Sequence, residues 1–575
     1  MYFNSKGDQT VTYDAIVVGT GISGGWAIKE LTEKGLKVLA LEKGRDVKHG
    51  EYPTANKEDW ELPFNNQVPQ KEIEEHYPQQ SRTGYTVRQA HKHWFVKDSE
   101  HPYGEDRRFD WMRGYHVGGR SIMWGRHSYR LSDIDFTANA KDGIATDWPV
   151  RYAEMKSWYD YVETFAGISG ENLGLEQLPD GKFLPMMPLN CAEQHLRDGV
   201  FKNMNGRVIT AGRVAHLTAY DPKVHLGTRG QCMYRNRCIR GCPFGGYFSS
   251  VSSTLPVAYE TGNLTLRPNS SVYSLIMDKN SGQAKGVRVR DSNTGEDLEF
   301  YGKIVFLCAS AVASTFIVMN TEHEEEMTLD SSGQLGRNIM DHHFRVGAYG
   351  TLDEYGDKYY KGRKPNGVYI PRFQNLPGKP ESKKDYLRGF GYQGGGSRSN
   401  WMRAVREMDT TIGPELKQKM LVPGPWTMGL TAFAETLPNE DNRMYIQRDV
   451  LDKDGLPTVR FDAAWGENEY TMKKDMIQQA VDMLEAAGFK DVIPYDRHSY
   501  PGLGIHEMGT ARMGTSKRNS VLDKHNRLWS APNVYMTDGA FMTSAACVNP
   551  SLTYMAFTAR AADHAVSSLK KMEIK

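Results

Sequence analysis

Three of the chain's six cysteines, Cys232, Cys238 and Cys242, fall within eleven consecutive positions in "QCMYRNRCIRGCPFGG", whereas Cys191, Cys308 and Cys547 stand alone. Six cysteines in 575 residues are too few for a disulfide scaffold, so thiols this dense point to metal or redox work. The spacing is five residues, then three, and Pro243 follows, as a proline follows the last cysteine of many ferredoxin runs. Soft thiolates match iron–sulfur clusters, and three ligands suit a cluster of three irons and four sulfurs. Structural zinc usually takes four protein ligands, and no fourth stands at the usual short spacing. Zinc, and three reduced thiols with no ligand, stay open as alternatives. Arg235, Arg237 and Arg240 in the same stretch either balance an anionic cluster, dock a partner or form a solvated basic loop.

Glycines make the second group. "YDAIVVGTGISGGWAIKELTEKGLKVLALE", residues 13 to 42, reads as a buried strand, a glycine turn, a helix and a second strand. Gly19, Gly21 and Gly24 fit G-x-G-x-x-G, which gives a tight turn, close backbone approach to a pyrophosphate, and close packing of helix on strand. The helix start, with Ser23, then offers an anion site, and Glu42, followed by Lys43, closes the second strand where an acid bonds ribose hydroxyls. Such a fingerprint binds a dinucleotide without separating FAD from NAD. "RGYHVGGRSIMWG" supplies Gly118, Gly119, Ser121, Met123 and Trp124 as further candidates for cofactor contact.

Toward the carboxyl end come "HEMGTARMG" from His506, "NVYMTDGAFM" with Asp538 and Gly539, and "NPSLTYMAFTARAA" with Asn549 and Ser551 opening a long helix. Pro550 sits where a missing N–H costs nothing. His506-Glu507 is not a zinc-protease signature, because Thr510 stands where the second histidine belongs. A histidine, with an ordinary pKa of about 6.5, suits removal of a hydroxyl proton.

A net charge of +1 and a pI near 7.7 give no argument for nucleic acid or anionic membrane. No run approaches eighteen apolar residues, mean hydropathy is −0.59, and the amino terminus lacks a basic-then-apolar signal pattern. The length predicts two domains or one large composite fold.

In sequence order, these motifs, with "CASAVASTFIVMN" at 308 to 320 and "GQLGRNIMDHH" at 333 to 343, resemble the glucose–methanol–choline family of FAD oxidoreductases over nearly the whole chain. The resemblance implies an α/β composite: a Rossmann-like FAD-binding domain and a substrate domain on an antiparallel sheet. It implies FAD, held non-covalently because Met123 stands where covalent relatives have histidine, with Val272 placing backbone against adenine. It implies His506 as catalytic base and Asn549 as the residue that bonds the same hydroxyl. The cysteine cluster resembles the large subunits of bacterial sugar dehydrogenases, several of which carry an iron–sulfur cluster near this position. That branch implies a sugar or glycoside substrate, oxidation at C3 being favoured, a small subunit bearing an export signal, a cytochrome c acceptor and a periplasmic destination, with cytoplasm as the alternative. A soluble oxidase without a cluster, and a redox-inactive FAD-binding assembly subunit, are the competing readings.

The expected FAD-binding domain comprises residues 1–145, 205–345 and 500–575, and the substrate domain 146–204 and 346–499. Within the latter, "GYQGGGSRSNW" at 391–401 reads as a mobile loop or lid, and "KDYLRGFGYQ" and "NRMYIQRD" as strands. The tryptophans and tyrosines of 148–170 read as packing, and Cys547 as a small buried hydrophobe near the flavin. His342 and His343, pointing apart as neighbours do, read as structural.

Overall fold

The computed structural model describes residues 5–358, 366–398, 411–421, 423–571 and 573. The chain opens with β1 (Thr12–Val18), α1 (Ile22–Glu33) and β2 (Val38–Leu41). After α2 (Tyr152–Ala166) and α3 (Cys191–Asn203) come β3 (Leu264–Arg267), β4 (Ser270–Asp278), β5 (Gln283–Asp291), β6 (Asp297–Leu307) and α4 (Ala311–Glu324). There follow β7 (Val346–Leu352), β8 (Val368–Ile370), β9 (Phe390–Arg398), β10 (Trp426–Glu435), α5 (Glu467–Ala486) and β11 (Lys490–Asp496). β12 (Val534–Met536) and α6 (Ser551–Lys570) complete the elements used below.

The first sheet runs β3-β2-β1-β6-β5-β4, with β12 beside β6. Its β3-β2-β1-β6-β12 part is parallel and the β6-β5-β4 part antiparallel. The parallel strands are apolar on both faces because both are covered. Ala15 and Val17 pack with Ala27 and Leu31 of α1 and Ala561 and Ala562 of α6, while Ile16 and Val18 enter the core on the other side. Trp148 and Tyr159 are buried in that second core.

The second sheet runs β11-β7-β10-β9-β8 and is antiparallel throughout. Two-residue pairs from stretches read as part of the FAD-binding domain extend it: Thr210–Ala211 on β8 and His342–His343 on β10. β10 alternates as a strand with one covered face must. Trp426, Met428, Leu430 and Ala432 lie under Met472, Met476, Ala480 and Met483 of α5. The other face, carrying Phe433 and Gln393, turns to the cavity described below.

The glycine run at 391–398 is not a lid. It lies in β9, paired along its length with β10, and its glycines answer to crowding. A Cβ on Gly394 would lie 2.3 Å from the Gly429 carbonyl oxygen, and one on Gly396 2.8 Å from Asn190 Oδ1. Residues 399–401 of that reading lie outside the described residues. "NRMYIQRD" falls in a strand, Arg443–Leu451, but "KDYLRGFGYQ" becomes strand only from Phe390. The hairpin Arg443–Leu451/Pro457–Asp462 pairs with Gly104–Glu105, and its turn reaches the cavity wall. Among the described residues no helix is long and apolar enough to cross a membrane.

Candidate active site

A cavity of about 440 Å³ runs from the β1–α1 turn to the open face of the second sheet. At its first end Gly19, at φ 92°, turns the chain, and Gly24 packs so tightly that a Cβ there would lie 1.9 Å from the Gly19 carbonyl oxygen. Gly21 differs: a Cβ there would meet nothing within 4 Å, because the residue faces the cavity. The amino end of α1 opens there without an acid in its first turn, so its free N–H groups can take an anion. This is the cradle that a dinucleotide pyrophosphate requires, and the residues fit FAD.

Glu42 is buried at the same end. Its Oε2 accepts from the Thr20 hydroxyl at 2.7 Å and the Thr20 amide at 3.1 Å, and its Oε1 accepts from Gly44 N–H at 3.0 Å. Burial raises its pKa against these bonds. Lys43 donates to Asp452 Oδ2 at 2.8 Å. Ser23, Gly119, Ser121, Met123, Trp124, Val272, Asp538, Gly539 and Ser551 also face the cavity. Burial pushes the Asp538 carboxyl up to about 6, although Ser314 and the Ala540 amide donate to it. Two expected contacts stand behind the wall instead: Gly24, for the packing reason above, and Gly118, whose N–H donates to Thr20 Oγ1 at 2.9 Å. Thr20, a residue the glycine pattern passes over, thus ties three segments of the cofactor end together.

At the other end His506 and Asn549 meet, with Asn549 Nδ2 3.4 Å from His506 Nε2. Asn549 comes from the turn into α6. His506 comes from an irregular loop that Asp341 holds, its carboxylate accepting from the backbone of Gly504 at 2.7 Å and of His506 at 3.2 Å. Burial, with Glu507 nearby, pushes Asp341 up to about 7. Glu507 in turn takes a forked pair of bonds from Arg120 at 2.8 and 3.1 Å. Burial, helped by His342, Arg120 and His127, holds His506 well below the ordinary histidine value, which leaves it neutral and able to accept a proton.

Two neighbours of the pair escape sequence reading. His342 Nδ1 lies 2.8 Å from His506 Nδ1, so this histidine is part of the site and not merely structural, while His343 points away to Trp465. The opposed directions of the two were legible from adjacency, but which one faced His506 was not. Gln393 of β9 donates from Nε2 to Asn549 Oδ1 at 2.7 Å. The only signal for it was alternation along a stretch masked by glycines.

The cysteine loop abuts the cavity from outside. Cys232 is buried, and Cys238 and Cys242 are half-buried. The Tyr247 hydroxyl shares its one proton between the carbonyls of Ile122 and, at 3.1 Å, of Cys238, bridging the "SIMWG" stretch and the loop. Trp124 Nε1 donates to Phe248 O at 2.9 Å. Among the described residues the three sulfurs are not all within 4.8 Å of one another, the separation within which the trios Asp341/His342/His506 and His101/Asp452/Asp454 do fall. One zinc ion would draw its thiolates to ~3.8 Å apart by tetrahedral geometry at a Zn–S bond of about 2.3 Å. Ligands of a polynuclear cluster bind different irons and stand further apart.

The charge around the loop favours an anion. Arg229 is buried, donates to the carbonyls of Gly245 and Ala166, and among the described residues has no partner for Nη1. Burial drives its pKa down to about 9, with Cys242 opposing the shift. Arg126 bears electrostatically on Cys232 and Cys238. Burial raises the Cys232 thiol to about 11, so this sulfur is protonated near neutral pH. Arg235, Arg237 and Arg240 are half-buried, and Arg235 bears electrostatically on Cys238. They bind the 55–59 segment, Arg235 through Ala55 and Asn56, Arg237 through Glu58 and Arg240 through Lys57 and Asp59.

Residues 13–344 and 438–558 match the amino- and carboxyl-terminal parts of the GMC oxidoreductases. The chain is 26% identical to 2-methyl-1,2-propanediol dehydrogenase of Mycolicibacterium austroafricanum, covering 97% of this chain and 96% of that protein. It is 23% identical to the fructose dehydrogenase large subunit of Gluconobacter japonicus, covering 98% and 99%. In fold it is similar to a formate oxidase variant of Aspergillus oryzae, with a TM-score of 0.61 at 13% identity over 98% and 100% of the two chains. With a fitting FAD cradle at one end of the cavity and a neutral histidine at the other, this chain belongs to the GMC oxidoreductase family, flavoenzymes acting on CH–OH groups.

Proposed function

We propose that the chain is the catalytic flavoprotein of a sugar or glycoside dehydrogenase whose electrons leave through the cysteine loop. The observation that carries the reading is the convergence of His506 and Asn549, far apart in sequence, at the end of the cavity that begins at Gly21. His506 takes the hydroxyl proton of the substrate, and Asn549 bonds the same oxygen and holds it in place. FAD, bound along the β1–α1 turn, supplies the acceptor for the hydride that leaves the carbon.

Cys232, Cys238 and Cys242 would hold an iron–sulfur cluster of the three-iron type, with Arg229 and Arg126 balancing its charge. Such a cluster carries electrons singly, which suits a cytochrome c acceptor. The Tyr247 bridge from Ile122 to Cys238 supports this route, because it sets the loop directly against the cavity wall. A small subunit carrying an export signal and a periplasmic destination complete the reading. Its substrate position is C3 of a glycoside, which product analysis after turnover decides.

The test is dye-coupled turnover across a panel of sugars and glycosides. In His506→Ala, kcat/KM falls by roughly a hundred- to ten-thousand-fold while visible flavin absorbance persists. Unchanged turnover removes His506 as the base, and hydrogen peroxide formed at the rate of substrate loss turns the reading to an oxidase.

A further inference from the structure

We propose that His342 is a positioning residue that fixes His506 as the tautomer carrying its proton on Nδ1, so that Nε2 is the base. The inference rests on the alcohol-oxidising reading above. It begins at a carbonyl: Ala546 O lies 2.9 Å from His342 Nε2, and a carbonyl oxygen can only accept, so His342 Nε2 carries a proton.

His342 is 1% exposed, and burial holds it neutral, near about 4. A neutral imidazole has one N–H, so His342 Nδ1 is a lone pair. That lone pair faces His506 Nδ1 at 2.8 Å, with the two rings at 88° to each other. Two lone pairs at that distance repel, so His506 Nδ1 must donate. His506 is itself neutral, which leaves Nε2 bare and turned toward Asn549.

The far side of the pair agrees independently. A bare Nε2 requires the amide nitrogen of Asn549 to face it, and Gln393 Nε2 donates to the opposite atom, Asn549 Oδ1, at 2.7 Å. The direction of donation is therefore consistent from Ala546 through both catalytic side chains to Gln393. An entering alcohol meets one acceptor, His506 Nε2, for its O–H, and one donor, Asn549 Nδ2, for its oxygen. When the O–H bond breaks, its proton goes to Nε2. Bound FAD would accept the hydrogen that leaves the carbon with its electron pair, and the oxygen, then a carbonyl, stays held by Asn549. The imidazolium so formed keeps its Nδ1–H bonded to His342. The opposite tautomer would present N–H to the hydroxyl and leave no base.

The experiment uses the flavin-loaded full chain. His342→Leu removes the acceptor, and kcat falls about a hundredfold, within the range of general-base effects, with KM and flavin content little changed. His342→Asn places an amide oxygen where Nδ1 stood, to accept from His506, and recovers at least about tenfold of that loss. If Asn is no better than Leu, or Leu has no effect on kcat, the proposal is overturned. Imidazole 15N NMR of labelled enzyme, with His506 assigned by difference against His506→Ala, measures the tautomer without turnover. Protonated Nδ1 and bare Nε2 support the proposal, and protonated Nε2 overturns it even if the variants fail to fold. Wild-type enzyme that oxidises no alcohol would instead sink the functional reading, and the tautomer measurement would still decide this one.

Discussion

The imidazole at 506 and the thiols at 232, 238 and 242 are the two groups whose types announce chemistry, and the fold treats them in opposite ways. His506 is gathered with Asn549, His342 and Gln393 into a continuous hydrogen-bond chain whose polar atoms satisfy one another. Among the described residues the three cysteine sulfurs do not all lie within 4.8 Å of one another, and the buried Nη1 of the neighbouring Arg229 has no hydrogen-bond partner. A proton-transfer site is completed by side chains, which must be preorganised before substrate arrives. A cluster site needs ligands and compensating charge only, since the inorganic core supplies the remaining bonds.

The contrast can be broken one region at a time. The broadest effect is expected for Gly21→Val, which fills the open anion site at the start of α1. Flavin content and dye-coupled activity then both fall at least about tenfold, while iron content is retained, because the cysteine loop does not depend on that turn. Flavin and metal analysis of one preparation checks it, and full flavin occupancy would refute the cradle.

A smaller and more selective effect is expected for Cys232→Ser. Iron is lost, and reduction of a haem acceptor falls at least about tenfold, while turnover with a two-electron dye stays within about twofold. Low-temperature electron paramagnetic resonance and metal analysis of the wild type are the companion measurement, and stoichiometric zinc without iron ends the cluster reading.

The smallest effect concerns acid. His342 and His343 are each held near about 4 by burial, against 6.5 when free. Between pH 6.5 and about 4 the unfolded chain therefore binds protons at these rings that the folded chain refuses, so their contribution to stability falls as pH falls through that window, while the raised carboxyls of Asp341 and Asp538 act in the opposite direction. His216, beside Cys232 Sγ at 3.6 Å, is depressed in the same direction, so acid weakens the contribution of buried rings in both regions. Calorimetry across the window should record a Tm that falls more steeply in the wild type than in His343→Phe, and equal slopes would show that this ring accepts its proton in place.

The sequence by itself determined what local chain geometry can encode. The glycine turn between β1 and α1, Glu42 at the end of β2, and Pro550 beginning α6 each follow from neighbours a few residues away. The density of Cys232, Cys238 and Cys242 was equally legible, because a ligand loop carries its own spacing. Only tertiary structure decided the polarity of the active site. His342 reached it because its two-residue strand pairs with the end of β10, and Gln393 because β9, for all its glycines, is a paired strand of the second sheet. Both lie more than a hundred residues from the side chains they touch, and hydrogen-bond direction is a property of atoms in contact, which no local spacing records.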